Sequence, residues 1–260
     1  MGIGEFHQFE APTPLATFVD AFWCHVSVGG NFDTPRLRVL PDGCIDFIAR
    51  LDVGHRGKLV ELTSLTVCGP MDRHRMVDLS PSVAWAGVRF RCGQAGPLPG
   101  VHPPEIFGRQ VPALDCSPRY ACLLDRIAAC TTPMEVLPAM ATFLTGQSPE
   151  GPACERAAKA VEMLGQDGAR ISQVASVLGV AERTLHRDIH RSVGLSPKSL
   201  ARILRFQKAW ARMQSAHLPD LCALALEAGY ADQSHITREF QEFAGVPPRA
   251  LDDSGPKTKL

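Results

Sequence analysis

The chain has 260 residues, 45% of them hydrophobic and 21% charged, with 27 Lys and Arg against 27 Asp and Glu. Such a composition is globular, long enough for two cores, and it excludes an intrinsically disordered chain. A net charge of zero points to no partner by itself. Residues 1–151, however, carry 12 basic against 15 acidic residues and 152–251 carry 13 against 10, so the second part leans towards an anionic partner.

Nine cysteines are scattered singly, without a Cys-x-x-Cys pair, and read as reduced thiols of a cytosolic protein. The N-terminus shows no basic stretch followed by an apolar run, so no signal peptide is expected. No apolar stretch approaches the ~18 residues needed to span a bilayer, and no membrane partner is expected.

In chain order, apolar residues first alternate with a period near two. The predicted strands are 21–28, 36–40, 44–51, 65–68, 75–79 and 84–90, separated by Gly29-Gly30, Pro41-Asp42-Gly43, Gly69-Pro70 and Ser80-Pro81. This predicts a mainly antiparallel β domain over 1–113, its Gly/Pro-rich end (92–113) wrapping the sheet or starting a connector. Helical spacing follows over 117–130 and 133–145, predicting a helical connector (114–151) able to serve in dimerisation. Gly146 to Pro152 reads as a flexible joint. Beyond it, helices at 153–164 and 197–214 fall within an all-α domain over 152–251, and 252–260 is a polar tail expected to be disordered. The fold class expected is therefore α+β.

Residues 171–251 contain one pattern twice. Ala175 and Gly179 recur as Ala225 and Gly229, an offset of 50. After the turn the offset is 51: Leu185 with Ile236, Arg187 with Arg238, Ile189 with Phe240, Gly194 with Gly245, Pro197 with Pro248 and Leu200 with Leu251. Each copy reads as a short helix, a glycine turn and a second helix that buries residues at i and i+4, which frees its opposite face for a major groove. In the first copy that face carries Arg183, His186, Arg187 and His190; in the second, Gln233, Ser234, Thr237 and Arg238. Arginine on guanine and glutamine on adenine are bidentate base contacts, whereas His190 and Ser234 suit a solvated face or a phosphate better. His186 and His190 have the i, i+4 spacing of a metal pair but lack a third ligand, so no metal and no cofactor is expected.

The run Arg183-Thr184-Leu185-His186-Arg187, Gly194-Leu195-Ser196-Pro197, the segment from Arg202 to Ala209, Gly229-Tyr230-Ala231-Asp232-Gln233-Ser234-His235 and Gly245-Val246-Pro247-Pro248 resemble the AraC/XylS family of bacterial transcription regulators. The resemblance covers about the last 100 residues. It implies a cytoplasmic, sequence-specific regulator, usually an activator, whose partners are double-stranded promoter DNA and RNA polymerase. It places Arg183, His186 and Arg187 of the first recognition helix, and Gln233, Ser234, Thr237 and Arg238 of the second, at base-reading positions. Ala181 departs from the pattern, which has a serine N-cap there; such a loss costs about 1 kcal/mol.

The first half is similar to an uncharacterised sensor-like domain found ahead of some AraC-type readers, through Leu40-Pro41-Asp42-Gly43-Cys44-Ile45-Asp46, Gly69-Pro70, Gly87 to Arg91 and Gly100-Val101. By alternation Asp42, Cys44 and Asp46 share a face, as do Arg89 and Arg91. Asp42, Asp46 and Arg89 could hold a polar small-molecule effector or form a structural ion-pair network. Trp23 and Trp85 are expected in the core, and His25, His74 and His102 at the surface or satisfied. The competing expectation is a bifunctional enzyme–regulator with a reactive cysteine; Cys44, beside acidic groups, is poorly suited to it. A homodimer and a helical protein-interaction module are the remaining expectations.

Overall fold

The computed structural model describes residues 5–26, 36–54, 57–78, 82–147, 152–215 and 220–251. The polar tail and residues 148–151 of the expected joint lie outside the described residues.

The β domain is built on a six-stranded antiparallel sheet. Its strands are β1 Glu5–Glu10, β2 Val19–Val26, β4 Asp46–Val53, β5 Leu59–Cys68, β7 Val83–Phe90 and β8 Gln110–Pro112, in the spatial order β1-β2-β7-β4-β5-β8. A separate antiparallel pair joins β3 Arg36–Val39 to β6 Arg75–Asp78. Alternation assembles the sheet face: Phe22, Cys24, Phe47, Ala49, Leu51, Leu65, Val67, Ala84, Ala86 and Val88 all point to one side and are buried there. Trp23 and Trp85 take the other parity. They lie half-buried on the opposite face rather than in the core, Trp23 stacked against Phe6 at 6.2 Å between ring centroids and Trp85 beside His25 at 5.6 Å.

The helices after the sheet complete this core. A short α1 (Ala113–Cys116) and a 3-10 turn (Pro118–Tyr120) lead into α2 (Ala121–Ala128) and α3 (Pro133–Thr145). Leu123 and Ile127 of α2, and Val136, Leu137, Met140, Phe143 and Leu144 of α3, join the buried sheet face in one cluster, with Tyr120 packed between Phe47 and Phe143. Helical spacing foretells the two helices but not the surface they bury. The expected connector is thus packed into the β domain.

The second core is helical: α4 (Pro152–Leu164), α5 (Ile171–Val177), α6 (Glu182–Val193), α7 (Pro197–Ser215), α8 (Leu221–Glu227) and α9 (Gln233–Ala244). Leu185, Ile189, Leu200, Ile203, Phe206, Ile236, Phe240 and Phe243 fill it. Leu40, Cys92 and Phe107 of the first half pack against it as well, so the two cores meet. Among the described residues no helix is long and apolar enough to cross a membrane.

Candidate nucleic-acid interface

The repeat in the sequence is a repeat in space. Helices α4–α6 form one unit and α7–α9 the second, with α6 and α9 in equivalent places. Leu185 and Ile189 of α6 are fully buried, as are Ile236 and Phe240 of α9. This fixes the rotation of each helix about its axis and sends the polar residues outwards. Arg183, His186, Arg187 and His190 are exposed on α6; Gln233, Ser234 and Arg238 are exposed on α9, with Thr237 half-buried and donating to the Gln233 carbonyl at 2.8 Å. The seven residues expected to read bases therefore form two surfaces, one per unit.

The first surface is basic. A cleft of about 1020 Å³ lies over α6 and the start of α7, lined by Arg183, His186, Arg187, His190, Ser196 and Lys198. Arg187 is 73% exposed, its Nε 3.9 Å from Asp188, so the guanidinium is available to an incoming anion. Lys198 escapes the sequence reading, although its match at the offset of 51, Arg249, is also basic. The second surface is mixed. A cleft of about 350 Å³ is lined by Arg202, Arg238, His235, Asp232, Glu239 and Glu242.

The helix starts differ in the same direction. Asp232 caps α9, its carboxylate accepting from the His235 backbone N–H at 2.7 Å. Ala181 precedes α6 in an extended conformation and offers no side-chain cap. The first turn of α6 thus lacks a side-chain acceptor at its start, where the Thr184 N–H donates to the Ala181 carbonyl at 2.9 Å and Glu182 is the acidic residue that meets the positive end of the helix.

Two buried carboxylates hold the recognition helices to their supports. Asp188 of α6 is bound by Arg156 of α4, with Nε at 2.6 Å. Glu239 of α9 is bound by Arg202 and Arg205 of α7 at 2.8 and 2.7 Å. Arg205 also lies over the Tyr230 ring at 4.6 Å. The sequence carries a signal for both, since Asp188 and Glu239 match at the offset of 51, but burial alone distinguishes them from surface acids.

Asp42, Asp46 and Arg89 do come together. Arg89 reaches Asp42 at 3.2 Å and Asp46 at 3.2 and 3.3 Å, while Asp42 also accepts from the Cys44 N–H at 2.9 Å. Burial pushes the Asp42 carboxyl up, an effect that Arg89 offsets only in part. Burial likewise opposes the Arg89 charge, but Asp46 and Asp42 outweigh it and keep the guanidinium protonated. Arg91 stays outside the group, donating to the Ala16 carbonyl at 3.0 Å. Burial pushes the Cys44 thiol well up, Cys24 up to about 12 and Cys68 up to about 11, so none of these three is poised as a thiolate. Among the described residues, no group of three or more His, Cys, Asp or Glu could hold a metal ion.

Comparison with known proteins agrees with this anatomy. A family model described as a helix-turn-helix domain matches residues 174–254, and a domain of unknown function, DUF6597, matches residues 7–112. No curated protein matches the sequence. Solved structures similar to the chain include ToxT from Vibrio cholerae (14% identity, 87% of this chain and 95% of that chain, TM-score 0.42). Others are the C-terminal domain of AraT, a response regulator from Geobacillus stearothermophilus (23%, 42% and 96%, TM-score 0.35), and a probable AraC family transcriptional regulator from Rhodopseudomonas palustris (22%, 39% and 99%, TM-score 0.34). With paired recognition helices and the helix-turn-helix match, the chain is a DNA-binding transcription regulator. The helix-turn-helix match spans both α6 and α9 and is joined to an N-terminal DUF6597 domain.

Proposed function

We propose that α6 and α9 read two successive major grooves of promoter DNA, with Arg183, His186 and Arg187 reading bases in one and Gln233, Ser234, Thr237 and Arg238 in the other. The observation that carries this reading is the pair of exposed polar helix faces on either side of α7. Its 19 residues span about 28 Å at ~1.5 Å per residue, close to the ~34 Å between successive grooves on one side of B-DNA. The basic cleft over α6 supplies more of the electrostatic grip, and the mixed surface of α9 more of the discrimination.

The regulator acts in the cytoplasm as an effector-responsive activator in contact with RNA polymerase, and pairs as a homodimer on promoters with two sites. Arg89, with Asp42 and Asp46, is where a polar small molecule would act: an anionic group would compete with the two carboxylates for the guanidinium. Occupancy there would reach the reader, because Gly43 of the same loop lies against Leu195 and Leu200.

Selection of bound fragments from genomic DNA at moderate salt tests the reading. Wild type is expected to enrich one bipartite motif, with Arg187→Ala losing specificity in one half and Arg238→Ala in the other. Unchanged sequence-selective binding by both variants would overturn the assignment.

A further inference from the structure

The two recognition helices are joined along the chain by α7, and a second bridge joins them through the first half of the molecule. Helices α6 and α9 each end in a left-handed glycine, Gly194 (φ +80°) and Gly245 (φ +75°), at matching positions of the repeat. The N-terminal domain presses on both. A Cβ on Gly194 would meet the Pro103 carbonyl oxygen at 2.8 Å and the Pro70 ring at 3.1 Å. One on Gly245 would meet the His74 ring at 2.3 Å. The equivalent turns at the ends of the preceding helices differ: Gly179 has open space around it and Gly229 only Arg205 at 4.0 Å. Among the four turn glycines of the repeat, the close approach is therefore confined to the two that end the recognition helices, and one five-residue stretch, 70–74, reaches both.

That stretch is braced. Gly69 donates to the Arg109 carbonyl at 2.9 Å, Gly108 to the Pro70 carbonyl at 2.8 Å, and the Arg75 guanidinium to the Gly108 carbonyl at 3.0 Å. At its far end the His74 N–H donates to the Phe243 carbonyl at 2.8 Å, and Arg38 of the neighbouring β3 donates to the Ala244 carbonyl. These bonds satisfy carbonyls that the end of α9 would otherwise leave open. Nδ1 of His74 is buried and makes no hydrogen bond. The ring thus acts at Gly245 through its shape rather than its polarity.

We propose that Pro70 and His74 are positioning residues that set the separation of the two recognition helices, so that the N-terminal domain, and not the reader alone, fixes the half-site spacing the chain accepts. The proposal rests on the reading of α6 and α9 as occupants of successive grooves. A braced stretch wedged between two helix ends resists their approach and their rotation about α7. An off-spaced operator must then either deform DNA or break these contacts.

The test uses the full chain and a series of operators whose two half-sites are moved apart or together one base pair at a time. Wild type is expected to lose about tenfold or more in affinity for each off-spaced operator. Pro70→Ala and His74→Ala are each expected to flatten that profile while keeping affinity for the separate half-sites. His74→Phe, which keeps the ring, is expected to restore the narrow profile. Should either alanine variant fail to fold, the other reads the same series. A narrow profile unchanged in the alanine variants, or a broad profile in His74→Phe, overturns the positioning role while leaving the two-groove reading intact. A wild-type profile with no dependence on spacing removes the two-groove reading itself, and the proposal with it.

Discussion

Asp188 and Glu239 stand at the same position of two recognition helices, 51 residues apart, and both are buried, at 4% and 3% exposure. Each accepts from arginine of a supporting helix: Arg156 for Asp188, Arg202 and Arg205 for Glu239. With the acids facing inwards, the basic and polar residues of the same helices face out. The ion pairs fix the azimuth of α6 and α9 more narrowly than apolar packing would, because an ion pair is directional and a leucine contact is not.

Removing the two partners of the first pair should cost different amounts. Arg156 is a third exposed and can be hydrated, whereas Asp188 cannot. Arg156→Ala, which strands a buried carboxylate, is expected to lower stability by about 3 kcal/mol. Asp188→Ala is expected to lower it by about 1–2 kcal/mol. Urea denaturation of the two variants compares them directly, and an equal loss would contradict the buried, paired state of Asp188.

The uneven capping predicts opposite responses to substitution. Ala181 already has the extended backbone of an N-cap, so Ala181→Ser should raise stability by about 0.5–1 kcal/mol. Asp232→Ala removes the bond to His235 and should lower it by about 1 kcal/mol. Thermal melts of the two variants check the pair; a destabilised Ala181→Ser would mean that the start of α6 is held by something other than cap geometry.

The two surfaces should differ in their salt response. Arg183→Ala combined with Arg187→Ala is expected to flatten the dependence of log affinity on log salt by roughly 0.9 for each phosphate that the protein no longer neutralises. Gln233→Ala combined with Arg238→Ala should change that slope less and lose about 1–3 kcal/mol of discrimination at the bases read by α9. Binding titrations over a salt series separate the two outcomes, and equal slopes for the two double variants would remove the division of labour.

Acid should loosen the first half and its seat on the reader. Burial lowers the pKa of His25 and of His74 from the ordinary 6.5, with Arg38 adding to the effect at His74. In the unfolded chain both bind a proton near 6.5; in the folded chain they do so only at lower pH. Between those values the unfolded state holds more protons, so stability is full above about 6.5 and falls as pH drops through the folded pKa. Denaturation at pH about 7.5 and about 5.5 should show a smaller acid loss in His74→Phe than in wild type. An identical loss would mean that His74 does not titrate against burial.

Much of this regulator can be read along the chain. The alternation of residues 44–51 and 84–90, with Pro41-Asp42-Gly43 as a turn, is legible because strand side chains alternate faces whatever they pack against. Strand β1 is not legible in this way: it is an edge strand whose residues 6–10 are exposed, so no apolar alternation marks it. Strand β8 has three residues, too few to carry a period. Helix α3 runs from Pro133 to Thr145 as its spacing predicts, yet the same spacing leaves its burial against the sheet unforeseen, because an amphipathic stripe says that a face is covered and not by what.

The same division runs through the site. The sequence by itself determined the doubled helix-turn-helix unit and the polar faces of α6 and α9, since repeat offsets and helical periodicity are local and survive translation along the chain. Only the tertiary structure decided which acids are buried, how Arg89 gathers Asp42 and Asp46, and that one stretch, Pro70 to His74, touches the ends of both recognition helices. Arg89 and Asp46 stand over 40 positions apart, and Pro70 to Gly194 spans over 100. No local pattern encodes either contact: the first depends on β4 pairing with β7 in the register that sets Asp46 opposite Arg89, the second on how two cores, each folded by its own pattern, come to rest against one another.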